Sequence, residues 1–516
     1  MGRSTWGLGR KLILALGLLA AAVIVHWGSG PGARISAAAA VERPNIVFVL
    51  ADDLDWSLVT AQYMPHVIDL ERRGETFDHY IVADSLCCPS RSSIFTGLFP
   101  HDSGVYTNTG ADGGYYAFTR HKPNLETRTF AVAVQQAGYL TSMMGKYLNG
   151  YGEPAMTTYV APGWSDWHVA GNAYPEFNYD LNEQHAVVHY GPGPPPAGNA
   201  ANYLTDVLAA RATAFINRAA AAHKPFVMEV ATFAPHRPYT PAPRNRNDFP
   251  GLKAPRDPSF NTAIVNPPDW LGKRKKLTPA QVARIDGEYR DRAQAVEAVD
   301  RLIGLVEARL AARRLARNTY IVFSSDNGYH MGQHRLLPGK QTAFDTDIRV
   351  PLIITGPAVP AGKVISQIVQ NVDLYPTVVQ LTGGMPMASV DGHSLMPLLH
   401  PAVGGGVTWP TVALIEHHGP SDVSDPDFEN GELGGNPSAY EAIRISNRRF
   451  GDAVYVEYRK TRKREYYNIN TDPYERDNTY KLLSAGERAR LHRMIVGLER
   501  CHNAAACWAA ADPQAG

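Results

Sequence analysis

Cysteine is nearly missing from this chain, with four residues among 516. So sparse a set excludes a disulfide-scaffolded fold. Neither sign of charge is in excess: 50 basic residues face 49 acidic ones, for a formal net charge of +1. That balance removes the electrostatic case for a nucleic-acid partner. Internal repeats and long low-complexity segments are lacking as well. The apolar run Leu12 to Val25 has fourteen residues, short of the roughly twenty that a membrane span needs.

What is present begins with an address. Arg3, Arg10 and Lys11 precede the apolar run, and Ala37-Ala38-Ala39-Ala40 follows it. Residues 1–40 therefore read as a signal peptide, with an uncleaved membrane anchor as the alternative, and the mature chain is expected to begin near Val41. Such a segment implies export, so the protein is expected to be secreted, periplasmic or at the cell surface. In that setting Cys501 and Cys507 could pair and staple the C-terminus. Cys88 is then a buried thiol outside any disulfide, and Cys87 has no structural partner. With 44% hydrophobic residues, the length suits a large domain over 41–395 and a smaller one over 396–516. The basic run Arg459-Lys460-Thr461-Arg462-Lys463-Arg464 reads as a solvated face in preference to a polyanion site.

Buried strands are expected at Asn45–Leu50, Pro225–Val230, Thr319–Phe323 and Val350–Ile354, where apolar residues run on between turn signals. From Ala293 to Arg313 the apolar residues Val296, Val299, Leu302, Ile303, Val306 and Leu310 recur at helical spacing. Continuous apolar strands alternating with helices imply an α/β fold with a largely parallel sheet flanked by helices. After residue 395 the texture changes. Gly404-Gly405-Gly406 reads as a linker and Gly191-Pro192-Gly193-Pro194-Pro195-Pro196 as a surface loop. Ala453–Tyr458 and a helix over Ser484–Glu499 suggest an α+β unit of antiparallel sheet plus helix.

Polar residues gather just past the expected strands, where open α/β sheets hold ligands. Asp52 and Asp53 follow the first, and Asp326 and Asn327 follow the third. Each pair alone is as well explained by a turn or a cap. Together they form an all-oxygen set suited to Ca²⁺ or Mg²⁺ and poor for zinc.

The segment Ser85-Leu86-Cys87-Cys88-Pro89-Ser90-Arg91 contains Cys-x-Pro-x-Arg and resembles the signature of the sulfatase family. Pro44 to Asp53, Gly145-Lys146-Tyr147, Ser325-Asp326-Asn327-Gly328, Asp373-Leu374-Tyr375-Pro376-Thr377, Asp391-Gly392-His393-Ser394-Leu395 and Asp472-Pro473-Tyr474-Glu475 are similar to further family motifs. The likeness runs from about residue 44 to 508. Within the family it is nearest the N-acetylglucosamine-6-sulfatase and heparan 6-O-endosulfatase group, through Gly145-Lys146-Tyr147-Leu148-Asn149, Tyr203-Leu204-Thr205-Asp206, Ala234-Pro235-His236 and Asp326-Asn327-Gly328-Tyr329-His330. The long hydrophilic insertion of the endosulfatases is not apparent.

The resemblance implies an enzyme that hydrolyses a sulfate ester of a sulfated sugar or glycan. Cys87 would be oxidised by a formylglycine-generating enzyme to an aldehyde whose hydrate is both nucleophile and metal ligand, beside Asp52, Asp53, Asp326 and Asn327. Arg91 would steady that residue, Lys146 and Lys340 would bind sulfuryl oxygens, and His236 would protonate the leaving alcohol. Many family members carry a histidine two residues after the lysine matching Lys146, where this chain has Leu148. His330 is the candidate base for expelling sulfate, or a substrate contact. Two other readings compete: a phosphonate or phosphodiester hydrolase of the same superfamily, and a catalytically silent protein that binds sulfated glycans.

Overall fold

The computed structural model describes residues 43–191, 199–401, 407–419 and 430–511. The expected targeting segment at 1–40, the glycines at 404–406 and residues 192–196 of the proline-rich loop lie outside the described residues.

Five strands carry the site or flank it: β1 (Asn45–Ala51), β2 (Leu140–Lys146), β3 (Phe226–Ala231), β4 (Thr319–Ser325) and β5 (Leu352–Thr355). They belong to a ten-stranded sheet whose middle runs β5-β4-β1-β3-β2 and then Asp166–Ala170. From β4 to Asp166–Ala170 every neighbour is parallel. β5 lies antiparallel on β4, and Tyr179–Glu183 lies antiparallel on Asp166–Ala170. The expected largely parallel sheet is therefore its centre, with antiparallel pairing toward both edges.

Burial on both faces explains the unbroken apolar runs. Ile46, Phe48 and Leu50 face one core, whereas Val47, Val49 and Ala51 face the other. That second core is closed by helices α2 (Leu204–Ala222) and α3 (Pro279–Ala312), which bring in Leu208, Phe215, Val296, Val299 and Leu302. α3 starts fourteen residues before the expected helix. A capping box between Thr278 and Gln281 sets that start, with Pro279 in the first turn. Its opening turns are largely polar and exposed, so the apolar period shows only further along. On the opposite side of the sheet lies helix α1 (Cys87–Thr96), every residue of which is buried.

The C-terminal part is an antiparallel sheet in sequence order: β6 (Val412–His417), β7 (Tyr440–Asn447), β8 (Gly451–Tyr458) and β9 (Arg464–Asn468). Alternation divides its side chains. Ile443, Ile445 and Tyr455 pack with Leu491 and Ile495 of α4 (Ala485–Leu498). Ala442, Val454 and Val456 join the core of the central sheet. Cys501 and Cys507 form a disulfide, and neither Cys87 nor Cys88 is in one. Among the described residues no helix is long and apolar enough to cross a membrane.

Candidate active site

The carboxyl ends of the parallel strands bring the expected residues to one place. Asp52 and Asp53 leave β1, Lys146 ends β2, and Asp326 and Asn327 leave β4. His236 lies five residues beyond β3, and Cys87 opens α1. Register aligns these ends, pairing Leu50 and Gly145 with Ala231 and Ala51 with Ser325. Asp53 adopts a left-handed backbone at φ 64°, a conformation that aspartate tolerates better than most residues. In this bend its amide donates to Asp326 Oδ1 at 3.2 Å.

Cys87 is fully buried. Its Sγ donates to Asp52 Oδ1 at 3.3 Å, and Lys340 Nζ approaches it at 2.9 Å. Lys146 Nζ donates to Asp52 Oδ2, and Lys340 Nζ to Asp53 Oδ1, both at 2.7 Å. Arg91 binds Asp326 Oδ2 through Nε at 2.8 Å and the Lys146 carbonyl through Nη1 at 2.9 Å. His236 Nε2 stands 3.6 Å from Asp53 Oδ2. The ligating atoms of Asp52, Asp53, Cys87 and His236 lie within 4.8 Å of one another.

This donor set fits a hard cation. Asp53 Oδ2 and Asn327 Oδ1 are buried acceptors without a hydrogen-bond donor, although buried acceptors are ordinarily satisfied. Oxygen ligands of this kind suit Ca²⁺ or Mg²⁺. Asp326 is differently engaged. Its Oδ1 takes the amides of Asp53 and Asn327, and its Oδ2 takes Arg91.

Burial dominates the electrostatics. It raises the Asp52 carboxyl above its ordinary value, against the pull of Lys146. Burial likewise pushes Asp326 upward, but the charges of Arg91, Lys146 and Lys340 prevail and hold it at about 2. Lys146 keeps its charge: burial opposes it, yet Asp52 beside it lifts the ammonium well above its usual range. Burial drives the Cys88 thiol up to about 12, so it stays protonated and unreactive.

His330 lies in a neighbouring cluster. Its Nδ1 meets both Asp347 oxygens at 3.0 Å, while its Nε2 is buried without a hydrogen-bond partner. Four neighbours escaped the sequence reading. Tyr174 places its ring 5.0 Å from Lys146 Nζ and 4.4 Å from the His236 ring. Arg292, inside α3, donates to the Asp53 carbonyl and to Asp55. Asn108 caps the Cys88 amide, and Asp347 holds His330. Only Arg292 left a signal, as a cation at the start of an apolar helical face.

His334 gives the region an acid sensitivity. It is buried and stacked on Phe344, and burial, helped by His330, lowers its pKa to about 3. The unfolded chain protonates this histidine below about 6.5, whereas the native one resists. Stability is therefore expected to fall as pH drops from about 6.5 toward 3, with a slope of up to about 1.4 kcal/mol per pH unit. Urea unfolding across that window checks this, and His334→Leu should flatten the slope.

The family model described as Sulfatase matches residues 44–385. This chain belongs to the sulfatase family. It is a sulfuric ester hydrolase by that membership. N-acetylglucosamine-6-sulfatase of Homo sapiens is 32% identical over 485 residues, spanning 90% of this chain and 86% of the relative. The Extracellular sulfatase SULF-1 homolog of Drosophila melanogaster is 33% identical over 407 residues, 77% of this chain and 35% of that longer protein. Among solved structures, an enzyme in complex with its substrate D-glucosamine-2-N,6-O-disulfate superposes with a TM-score of 0.68, covering 88% of this chain and 97% of that one at 22% identity. Phosphonate monoester hydrolase from Silicibacter pomeroyi gives 0.65 at 20% identity, with 87% and 93% covered. These structural likenesses concern the fold alone.

Proposed function

We propose that this sulfatase removes the 6-O-sulfate of N-acetylglucosamine or a related sulfated glycan, outside the cytoplasm, with Cys87 converted to formylglycine. The observation that supports it best is Cys87 buried between Asp52 and Lys340 at the head of α1. The likeness to N-acetylglucosamine-6-sulfatases over 90% of the chain supports the sugar, and extracellular sulfatases among the relatives support export. When present, the aldehyde hydrate supplies an attacking oxygen and a Ca²⁺ or Mg²⁺ ion supplies a Lewis acid. Asp52, Asp53, Asn327 and the modified Cys87 would hold that ion, with Asp326 at its edge.

The remaining work falls to residues of the chain. Lys146 and Lys340 each present a compact charge to the sulfuryl oxygens, where negative charge grows in the transition state. Arg91 fixes Asp326 and the Lys146 backbone, keeping that pair of elements in register. Tyr174 lies against both Lys146 and His236 and orients them. His236 Nδ1 meets the Arg237 carbonyl at 2.7 Å, which assigns the proton to Nδ1 in the neutral ring. Only a second proton on Nε2 can then be given to the departing sugar oxygen. Steady-state assays on N-acetylglucosamine 6-sulfate and on the monoester p-nitrophenyl phenylphosphonate test the reading. Sulfate release is expected to exceed phosphonate turnover; the reverse order would assign the chain to the phosphonate hydrolases instead.

A further inference from the structure

A basic cleft lies outside the catalytic centre, bounded by the segment ahead of α3. It encloses about 610 Å³, and its walls include Lys273, Arg274, Lys275, Lys276 and Arg335. Asp269 is its one lining carboxylate, and it already faces Lys463 at 3.5 Å. Trp270 in the same wall donates to Tyr458 at 2.8 Å, joining the cleft to the exposed turn Arg459-Lys460-Thr461-Arg462-Lys463. That basic run, which by itself reads as solvated, thus continues a second one. The first turn of α3, through Thr278 and Gln281, completes the cleft and adds the positive end of a 34-residue helix.

The cleft is tied to the reacting atoms. Leu337 lines it, and three residues later Lys340 touches Cys87. Three residues span at most about 11 Å. Leu433, on the cleft wall, accepts from the Leu337 amide, and Gly435 packs against the Lys340 carbonyl. A chain molecule whose reacting unit sits at Cys87 would pass its next units along this wall.

We infer that the cleft binds the neighbouring units of a sulfated polysaccharide, so that the protein acts on sulfated chains in preference to single sulfated sugars. This rests on the sulfated-glycan reading above and adds the length of its substrate. The five cations meet sulfates and carboxylates that recur along such a chain, and Arg274 is held in the cleft wall with its guanidinium 5.9 Å over the Trp270 ring. A net charge near neutral for the whole molecule concentrates this attraction in one place instead of spreading it over the surface.

The test compares heparin fragments of graded length with N-acetylglucosamine 6-sulfate, on wild type and on Lys273→Gln/Lys275→Gln/Lys276→Gln. These lysines are exposed, so the triple variant keeps the core intact, and circular dichroism verifies its fold. For wild type, kcat/KM is expected to rise from monosaccharide to hexasaccharide. In the variant the hexasaccharide-to-monosaccharide ratio should fall about tenfold, with a shallower dependence of heparin affinity on salt, by roughly 0.7–0.9 of a unit of log–log slope for each lost contact. Equal kcat/KM at every length, or an unchanged ratio in the variant, overturns the inference while leaving the sulfatase reading standing. Should neither protein release sulfate, heparin affinity decides: loss in the variant upholds the cleft, and retention overturns it. Duplex DNA bound as tightly as heparin would also overturn the assignment, as an unselective field.

Discussion

Cys87→Ala is expected to abolish sulfate release, lowering kcat by a factor on the order of 10⁴ to 10⁶, as loss of a nucleophile does elsewhere. The position tolerates alanine structurally. It opens a helix, is fully buried, and its side chain hydrogen-bonds a carboxylate and contacts an ammonium. The loss would therefore be chemical. Cys88→Ala separates the two thiols: burial keeps Cys88 protonated, and its removal should cost packing energy while sparing turnover. Mass spectrometry of the peptide containing both cysteines completes the experiment. An aldehyde at Cys87 should accompany activity in every preparation. Full activity in protein whose Cys87 is an unmodified thiol would refute the formylglycine proposal.

Asp53→Ala should be nearly as damaging, with a fall on the order of 10³-fold or more in kcat. It removes a carboxylate that faces Lys340, Asn327 and His236 at once, and it leaves Lys340 buried against fewer negative charges. The informative readout is thermal unfolding with and without Ca²⁺. Ligand at a hundredfold excess over Kd stabilises a native protein by about 2.7 kcal/mol. Wild type should thus gain Tm in Ca²⁺ and lose both that gain and its activity in chelator. Asp53→Ala should show the same low Tm in either condition. A Ca²⁺-dependent rise that survives the substitution would place the ion elsewhere.

Much of this was legible before any coordinates, for identifiable reasons. β1 and β4 are apolar on both faces, so their ends, and the carboxylates just past them, stand out in the sequence. β2 was not expected, because Thr141, Ser142 and Gly145 break its apolar run although all three are buried. Lys146 was located through a motif instead. The antiparallel edges also escaped, since Ala186–Tyr190 is exposed and alternation there buries nothing. Tyr174 lies in a loop and Asp347 in a single helical turn (Asp345–Ile348), where no periodicity marks a position. Arg292 illustrates a different gap: a cation on a buried helix face has meaning only once the Asp53 carbonyl is known to lie opposite.

The contact between Lys340 and Cys87 spans 253 positions of the chain, and Asp52 reaches Lys146 across 94. The chain before Thr319 lacks Asp326, Asn327 and Lys340, a third of the reacting constellation. A nascent or truncated chain lacking the strand from Thr319 onward would be inert, however well its first strands had formed. Catalytic output is thus a readout of completed topology, and in a cell or a display library it would select for whole, correctly closed molecules.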